Sequence, residues 1–528
     1  MAPVRLRSRF HRPSEPRDGG TLLGNLDSAT RATVDPAGSV HMGGQAWSLD
    51  WWVGAEDRWH VPAREVALRQ ALVGGAPVVE TRLRVPGGDA VHRAYAARGP
   101  AGEDVVVVEV ENASTRPFAL ALVLRPAVPG EPGIDELEVR GRHVRVDSAL
   151  AMVLPSPPGR VALAYGATGD VAEVVRTGGA GPAGDAAVRC RDGLANGALL
   201  FPLAHTASLR VVLPWADDVL PPERAPGSAQ VASGWATHAR RAARVEVPDR
   251  RVREALTAST TSLLLVASAP PTPAVPLALD ALGFAEEAAV AIAALADDAP
   301  PSLGLRALGR HWDLTHDAGW ARASVSSAAT LVAALGRTRD PDEVARGRAA
   351  LGSVADLLAA AGEGRAASDA RALAQPSSVP TDPRAELARL LASASPTWTW
   401  PRDHPGRTGA TVVLALRDLL VLDEPDGLAL SPFVPEAWLG RGWEVHDLPT
   451  AHGGLSFAVR WHGERPALLW DLDGSAVRLR APALDPSWAS ADRRGEALLA
   501  PVPVPERPAV RRGLTIPVTI EPMPRDRS

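Results

Sequence analysis

Two short segments bring carboxylates, imidazoles and indoles together where helices are expected to end. The first runs from His311 to Trp320 and contains two Trp, two His and two Asp. The second runs from Thr397 to Pro405 and contains two Trp with one Arg, one Asp and one His. A carboxyl can donate or accept a proton during bond cleavage, and an indole offers a flat apolar face. Both segments therefore have the residue types of an acid–base site beside an aromatic surface.

A helical region must position both segments. Between Val252 and Leu422 the chain is rich in Ala and Leu at helical spacing, with Pro or Gly at intervals. This pattern predicts helices near 251–267, 285–296, 301–314, 319–336, 342–361, 382–394 and 409–422. Short loops between successive helices indicate antiparallel hairpins. The first segment then lies at the turn between two helices, and the second lies just before the last helix.

The flanking regions have a strand pattern, so the fold class is multidomain α+β. Short β-branched runs broken by Gly, Pro and Asp predict an antiparallel β-sandwich over 21–214. A Pro-rich stretch makes 215–250 an expected linker. The helical domain is expected over 251–425 and a small C-terminal β domain over 426–528. Residues 1–20, which contain five Arg and three Pro, are expected to be a disordered N-terminus.

Composition excludes several classes of function. The 528 residues carry a net charge of -5 and no lysine, so a general nucleic-acid binder is not expected. The single cysteine, Cys190, cannot form an intramolecular disulfide. No zinc spacing, phosphate loop or HExxH helix is present, and we expect no metal and no cofactor. No apolar run reaches the roughly 20 residues of a membrane span. We therefore expect a cytoplasmic protein without a membrane partner.

Three parts of the sequence resemble a known family when they are taken together. The first combines Trp47 to Trp59 with 85–90 and 109–112, the second is Ser302 to Trp320, and the third is Thr411 to Leu472. They resemble bacterial six-hairpin glycosidases, the architecture shared by glucoamylases and by the maltose and trehalose phosphorylases.

The resemblance implies an (α/α)6 toroid of twelve helices and cleavage of an α-glucoside-type oligosaccharide, usually with inversion. Inversion requires two carboxyls roughly 6.5 to 9.5 Å apart, one protonated and one ionised. We assign these roles to Asp313 and Asp403. The side chains expected to contact the carbohydrate are Trp312, Trp320, Trp398, Trp400, Arg402 and His404.

A second hypothesis, a catalytically inactive relative that binds carbohydrate or serves as a scaffold, stays open. The pattern predicts about seven helices instead of twelve, which indicates a shortened toroid. From Ala321 to Thr397 the sequence has no Trp, Tyr, Phe or His. Structural roles also compete with the functional ones: Asp317 and Thr315 are favoured helix caps, and Trp398 and Trp400 could seal the helices against a β domain.

Overall fold

The computed structural model describes residues 20–128, 131–165, 170–216, 219–267, 272–295, 300–375, 382–400, 406–424 and 426–503. An N-terminal pair of antiparallel sheets is followed by a helical region and a small C-terminal β region. The multidomain α+β layout expected from the sequence is confirmed.

Two nine-stranded sheets form the N-terminal sandwich. The first sheet contains β1 (Thr21–Leu23), β2 (Ala32–Val34), β3 (Val40–Met42), β4 (Trp47–Gly54), β5 (Trp59–His60), β10 (Phe118–Pro126), β14 (Arg160–Ala164), β15 (Gly181–Pro182) and β17 (Asn196–Leu203). The second contains β6 (Leu68–Leu72), β7 (Val78–Val85), β8 (Gly88–Arg98), β9 (Asp104–Ser114), β11 (Glu136–Arg140), β12 (His143–Val146), β13 (Ala149–Val153), β16 (Ala186–Arg189) and β18 (Ser208–Pro214). A short helix, α1 (Val171–Arg176), packs on β14 and β17.

Strand β9 packs on one face within the sandwich and on the other face against the helices. Its run Val105 to Val108 is apolar at every position because both faces of the strand are covered. Val106 and Val108 face the first sheet within the sandwich core. Val105 and Val107 face the other way, into a second core that contains the leucines of α3 (Arg250–Val266). The second sheet is therefore the surface on which the helical region rests.

The helical region contains more helices than the sequence pattern predicts. After α2 (Ser228–Ala239) and α3, the described chain forms α4 (Ala274–Leu282), α5 (Ala285–Ala293), α6 (Pro301–Thr315), α7 (Ala318–Arg337), α8 (Pro341–Ala360), α9 (Gly364–Leu373), α10 (Arg384–Ser393) and α11 (Arg407–Leu420). Helices α4, α6 and α8 lie side by side, α5 packs on α4 and α6, and α7 packs on α6 and α8. Within the described residues, nine helices lie between Arg250 and Leu420, where seven were predicted.

The two additional helices were missed for different reasons. Every residue of α4 after Ala274 is buried, but its Pro276 and the prolines before it indicate a break in a helix. Only Ala367 and Ala370 are buried in α9, and its one large apolar side chain is Leu373. The segment 215–250, expected to be a linker, contains α2 and a strand, β19 (Arg244–Glu246).

The C-terminal β region has two sheets. One consists of β19, β22 (Trp443–Thr450), β23 (Gly453–His462), β24 (Arg465–Gly474) and β27 (Arg494–Leu498). The other consists of β20 (Val421–Glu424), β21 (Gly427–Leu430), β25 (Arg478–Ala481) and β26 (Asp485–Ser490). Their inner faces share one core with α10 and α11. The sequence pattern also predicts a strand from Leu514 to Ile520, and this segment lies outside the described residues.

None of the described helices has the length and apolar character needed to cross a membrane.

Candidate functional site

Helix α6 presents polar side chains to three different neighbours. His311 faces α4, Asp313 faces α8, and Arg310 reaches β20 at the end of α11. Successive helical residues are rotated by about 100°, so His311 points away from Arg310, whereas Arg310 and Asp313, three residues apart, are neighbours on the helix surface. The first candidate segment is therefore divided into separate environments by the helix that carries it.

A close approach of α6 and α8 positions Asp313. A Cβ atom added at Gly309 would lie 2.9 Å from Cβ of Ser353, so glycine is needed at this crossing. One turn later, Ser353 Oγ donates a hydrogen bond to Asp313 Oδ2 at 2.8 Å. Burial raises the pKa of Asp313, and the hydrogen bond from Ser353 opposes that rise only in part. Asp313 is thus a half-buried carboxyl that holds its proton to higher pH than a free aspartate.

Two arginines converge on one carboxylate beside Asp313. Arg310 Nη1 donates to Asp423 Oδ2 at 2.6 Å, and Arg417 Nη2 donates to the same oxygen. Arg417 also donates from Nη1 to the carbonyl of Val421 at 3.1 Å, which ties the end of α11 to β20. Burial alone would raise the pKa of Asp423, but the charges of Arg417 and Arg310 outweigh it and hold the pKa well below its usual range. Asp423 is ionised at any physiological pH.

Asp418 completes this group, which we call the Arg310 cluster: Arg310, Asp313, Arg417, Asp418 and Asp423. Asp418 Oδ1 lies 3.7 Å from Arg417 Nη1, and its side chain is 32% exposed. Burial raises the pKa of Asp418, and the charges of Arg417, Arg306 and Arg310 oppose this in part. The Arg310 cluster therefore contains one firmly ionised carboxylate and two carboxyls that titrate above an ordinary aspartate.

Several buried polar atoms of the Arg310 cluster have no hydrogen-bond partner among the described residues. They are Arg310 Nη2, Arg417 Nε and Asp423 Oδ1. The Arg417 side chain is more than nine-tenths buried. Leaving such atoms unpaired costs about 1 to 3 kcal/mol each. A polar ligand or water that met these atoms would recover that free energy.

On the other side of α6, His311 and Asp280 form a buried pair. Nδ1 of His311 lies 2.9 Å from Oδ1 of Asp280, and the second carboxylate oxygen has no partner in the described structure. The ring of Trp320 lies 4.3 Å from the imidazole, centroid to centroid. Burial raises the pKa of Asp280, and the hydrogen bond with His311 opposes that rise.

Other residues of the first segment have structural roles. Asp317 caps α7 by accepting hydrogen bonds from the backbone of Gly319 and Trp320. Thr315 donates its hydroxyl to the carbonyl of His311 one turn earlier and caps nothing. Trp312 is 8% exposed and belongs to the core shared by α6 and α8. Of the two tryptophans in this segment that were assigned to carbohydrate, only Trp320 is partly exposed.

The tryptophans of the second segment pack inward. Trp400 Nε1 donates to the carbonyl of Leu390 at 2.9 Å, and the guanidinium of Arg251 lies 5.8 Å from the ring centre of Trp398. Both rings pack against the core that joins the helices to the C-terminal sheets. Arg402, Asp403 and His404 lie outside the described residues. Within the described structure, the second segment shares no hydrogen bond, ion pair or ring contact with Asp313.

The N-terminal tryptophans belong to the sandwich. Trp47, Trp51 and Trp52 are each at most 3% exposed in β4. Trp51 lies in the core between the sheets, and Trp52 lies on the outer face of its sheet, beneath Arg125 at 5.4 Å. They support the sandwich itself.

Sequence reasoning did not assign a role to Arg310, Arg417, Asp418 or Asp423. A signal was present, because the run Val412 to Leu422 is apolar except for the adjacent Arg417 and Asp418. Charges within an apolar helix are rarely buried without partners. The missing information was which distant residues pair with them.

The described residues include no group of three or more His, Cys, Asp or Glu side chains arranged to hold a metal ion. In the described part of the site, the carboxyls could transfer protons, and the two arginines donate hydrogen bonds.

Comparisons with known proteins give a likeness in structure only. No family model and no curated protein matches the sequence. A solved chain from the human microbiome, provisionally named a kojibiose phosphorylase, is 7% identical, and the match covers 92% of this chain and 90% of that one with a TM-score of 0.43. A family GH92 α-mannosidase from Bacteroides thetaiotaomicron is 7% identical, with 68% and 63% covered and a TM-score of 0.31.

Proposed function

We propose that this protein is a cytoplasmic glycoside hydrolase-like enzyme that cleaves an α-glucoside-type oligosaccharide with inversion, and that Asp313 is its general acid. The observation that supports this role is the raised pKa of the half-buried Asp313 carboxyl. A general acid must still carry its proton at the working pH, which an exposed aspartate does not. The substrate class comes from the sequence resemblance.

In the proposed reaction, Asp313 gives its proton to the glycosidic oxygen as the bond to the anomeric carbon breaks. Water attacks that carbon from the opposite face, and a second group takes the proton of the water. Asp403 is the second group predicted from the sequence, with Arg402 and His404 beside it as substrate contacts. These three assignments stay predictions, because the residues lie outside the described structure.

One set of observations favours the alternative, a catalytically inactive relative that binds carbohydrate or acts as a scaffold. Carbohydrate sites need exposed aromatic faces. Trp312 is buried, and the partly exposed Trp320, Trp398 and Trp400 pack against apolar cores, so all four tryptophans assigned to substrate already have apolar neighbours. Under this alternative, Asp313→Asn would leave oligosaccharide binding unchanged.

The deciding experiment is a hydrolysis and phosphorolysis screen on α- and β-linked glucosyl, trehalosyl and maltosyl substrates. The variant is Asp313→Asn, and the matched control is Asp356→Asn, an exposed aspartate of α8 paired with Arg371. General acid catalysis contributes roughly 10²- to 10⁴-fold, so we expect a loss of that size in the first variant only. Equal turnover in both variants would reject Asp313 as the acid. No turnover by the wild type on any substrate would favour the alternative.

A further inference from the structure

Arg310 could pair with either of two carboxyls and binds only one of them. Asp313 follows Arg310 by three residues, a spacing at which opposite charges on a helix surface can form an ion pair. Among the described residues, no hydrogen bond or ion pair joins these two side chains. Nη1 of Arg310 instead donates to Asp423 Oδ2 at 2.6 Å. The guanidinium is therefore held towards β20 and away from the carboxyl beside it on α6.

Arg417 fixes Asp423 in the place where it binds Arg310. Arg417 donates from Nη2 to the same oxygen of Asp423 and from Nη1 to the carbonyl of Val421 at 3.1 Å. Its side chain is buried, and a buried charge that loses its partner is strongly destabilising. Asp423 therefore cannot turn away from this position without leaving two arginines unpaired, and Arg310 stays on the β20 side.

Asp313 is left with an uncharged partner. Ser353 Oγ donates to its Oδ2 at 2.8 Å, and its Oδ1 accepts no hydrogen bond from another described residue. A hydroxyl favours the ionised form of a carboxyl less than a guanidinium does, because it carries no net charge. The contact from α8 thus orients the Asp313 carboxyl and leaves one of its oxygens able to carry a proton.

Charges reach Asp313 from its own helix and from β20. Burial raises its pKa, and Ser353, Arg310 and His316 lower it. The negative charge of Asp423 raises it. Charged side chains on the neighbouring helices have other partners: Asp280 of α4 with His311, Glu287 of α5 with Arg241, Asp317 of α7 with the backbone that it caps, Glu343 of α8 with Ser302, Asp356 of α8 with Arg371, and Arg417 of α11 with Asp418 and Asp423. Arg310 and Asp423 thus act on the acid in opposite directions, and they are bound to each other.

We propose that Asp423 is a positioning residue for the acid: by binding Arg310, it keeps that guanidinium from pairing with Asp313. This rests on the proposed function, in which Asp313 must hold a proton until the glycosidic oxygen takes it. Without Asp423, Nη1 of Arg310 would lose its acceptor, and Nη2 has no partner among the described residues. Asp313, three residues further along α6, would then accept these donors and release its proton to solvent.

The titration of Asp313 tests this relationship without depending on turnover. Aspartate γ-carbons are labelled with ¹³C, the Asp313 signal is identified by its absence from Asp313→Asn, and its chemical shift is followed with pH. We expect Asp423→Asn to lower the titration midpoint by about 1 pH unit, because both arginines lose their counter-ion. We expect Arg310→Gln to raise the midpoint, because one positive charge is removed, and the double variant to lie between the two. Asp426→Asn, which breaks an exposed pair, should leave the midpoint unchanged.

The opposite directions guard against a variant that fails to fold, because unfolding would lower the Asp313 midpoint towards that of an exposed aspartate in both variants. The pH profile of kcat/KM links the titration to catalysis, and its descending limb should move with the Asp313 midpoint. An unchanged midpoint in Asp423→Asn, or shifts in the same direction in Asp423→Asn and Arg310→Gln, would overturn the role of Asp423 and leave the proposed function intact. A wild type that turns over no substrate would reject the proposed function and with it the positioning role, whatever the midpoints.

Discussion

Nδ1 of His311 and Oδ1 of Asp280 lie 2.9 Å apart in a position where both side chains are at most 4% exposed. The pair connects α4 to α6 across the interior of the helical region. Removing one member of a buried pair leaves the other without compensation, which typically costs 3 to 5 kcal/mol.

We therefore expect Asp280→Ala to lower the free energy of unfolding by about 3 to 5 kcal/mol. The double variant Asp280→Leu with His311→Phe should be less destabilised than this single variant, because no polar group is then left unpaired. Urea denaturation of the wild type, Asp280→Ala and the double variant measures how far each variant lowers the free energy of unfolding. A double variant less stable than Asp280→Ala would show that the pair itself stabilises the fold.

Asp423 should give the protein an acid-sensitive element. Its pKa is lowered in the folded state, so the unfolded chain binds the proton first and stability falls as pH drops through the range below about 4. At neutral pH, Asp423→Asn should cost about 3 kcal/mol, and its difference from the wild type should narrow on acidification. The control, Asp426→Asn, breaks an exposed pair with Arg478 and should cost less than about 1 kcal/mol. If the free energies of unfolding of Asp423→Asn and the wild type differed by the same amount from pH 7 to pH 3, the acid-sensitive role of Asp423 would be contradicted.

His92 supplies a second and separate acid response. It stacks on Trp51 at 4.9 Å inside the sandwich, and burial lowers its pKa to about 3. The unfolded histidine titrates near 6.5, so between those values the unfolded state binds the proton and stability falls as pH drops. The full effect is on the order of 4 kcal/mol. His92→Phe keeps a ring against Trp51 and should be less sensitive to acid in denaturation curves at pH 7, 6, 5 and 4. If the wild type and His92→Phe lost the same stability as the pH falls, His92 would not be the source of this acid response.

Trp400 should act through packing and one hydrogen bond. Trp400→Phe removes the donor to the carbonyl of Leu390, and we expect a cost of about 1 kcal/mol in the free energy of unfolding. Turnover of the best substrate should stay within twofold of the wild type. A large rise in KM with unchanged stability would instead identify Trp400 as a substrate contact.

The fold was predictable from the sequence where local pattern determines structure. The run Gly88 to Ser114 alternates or repeats apolar residues strongly enough to give β8 and β9, and α7 and α8 begin at the favoured capping residues Asp317 and Asp340. Helix α4 was missed because its Pro276 and the prolines before it indicate a break in a helix. Strand β19, only three residues long, depends on a partner far along the chain.

The candidate site was predictable only in part for the same reason. Asp313 was found because it lies among Trp and His residues, whereas its hydrogen-bond donor comes from α8 and the charge of Asp423 acts on it from β20. Nothing local to Asp423 shows that Arg310, 113 residues earlier, will pair with it. Long-range ion pairs become visible only when helix packing is known.

The pairing of β19 with β22 has a consequence for how the chain is made. Arg244 lies opposite His446, which follows it by 202 positions, and the segment between them includes all the helices from α3 to α11. At about 5 to 20 residues per second, the ribosome exposes β19 roughly 10 to 40 s before its partner exists. Throughout that interval β19 presents an unpaired edge to other nascent chains. Synthesis that stalls within the helical region would therefore release a chain whose N-terminal sandwich is complete but whose β19 edge stays open to aggregation.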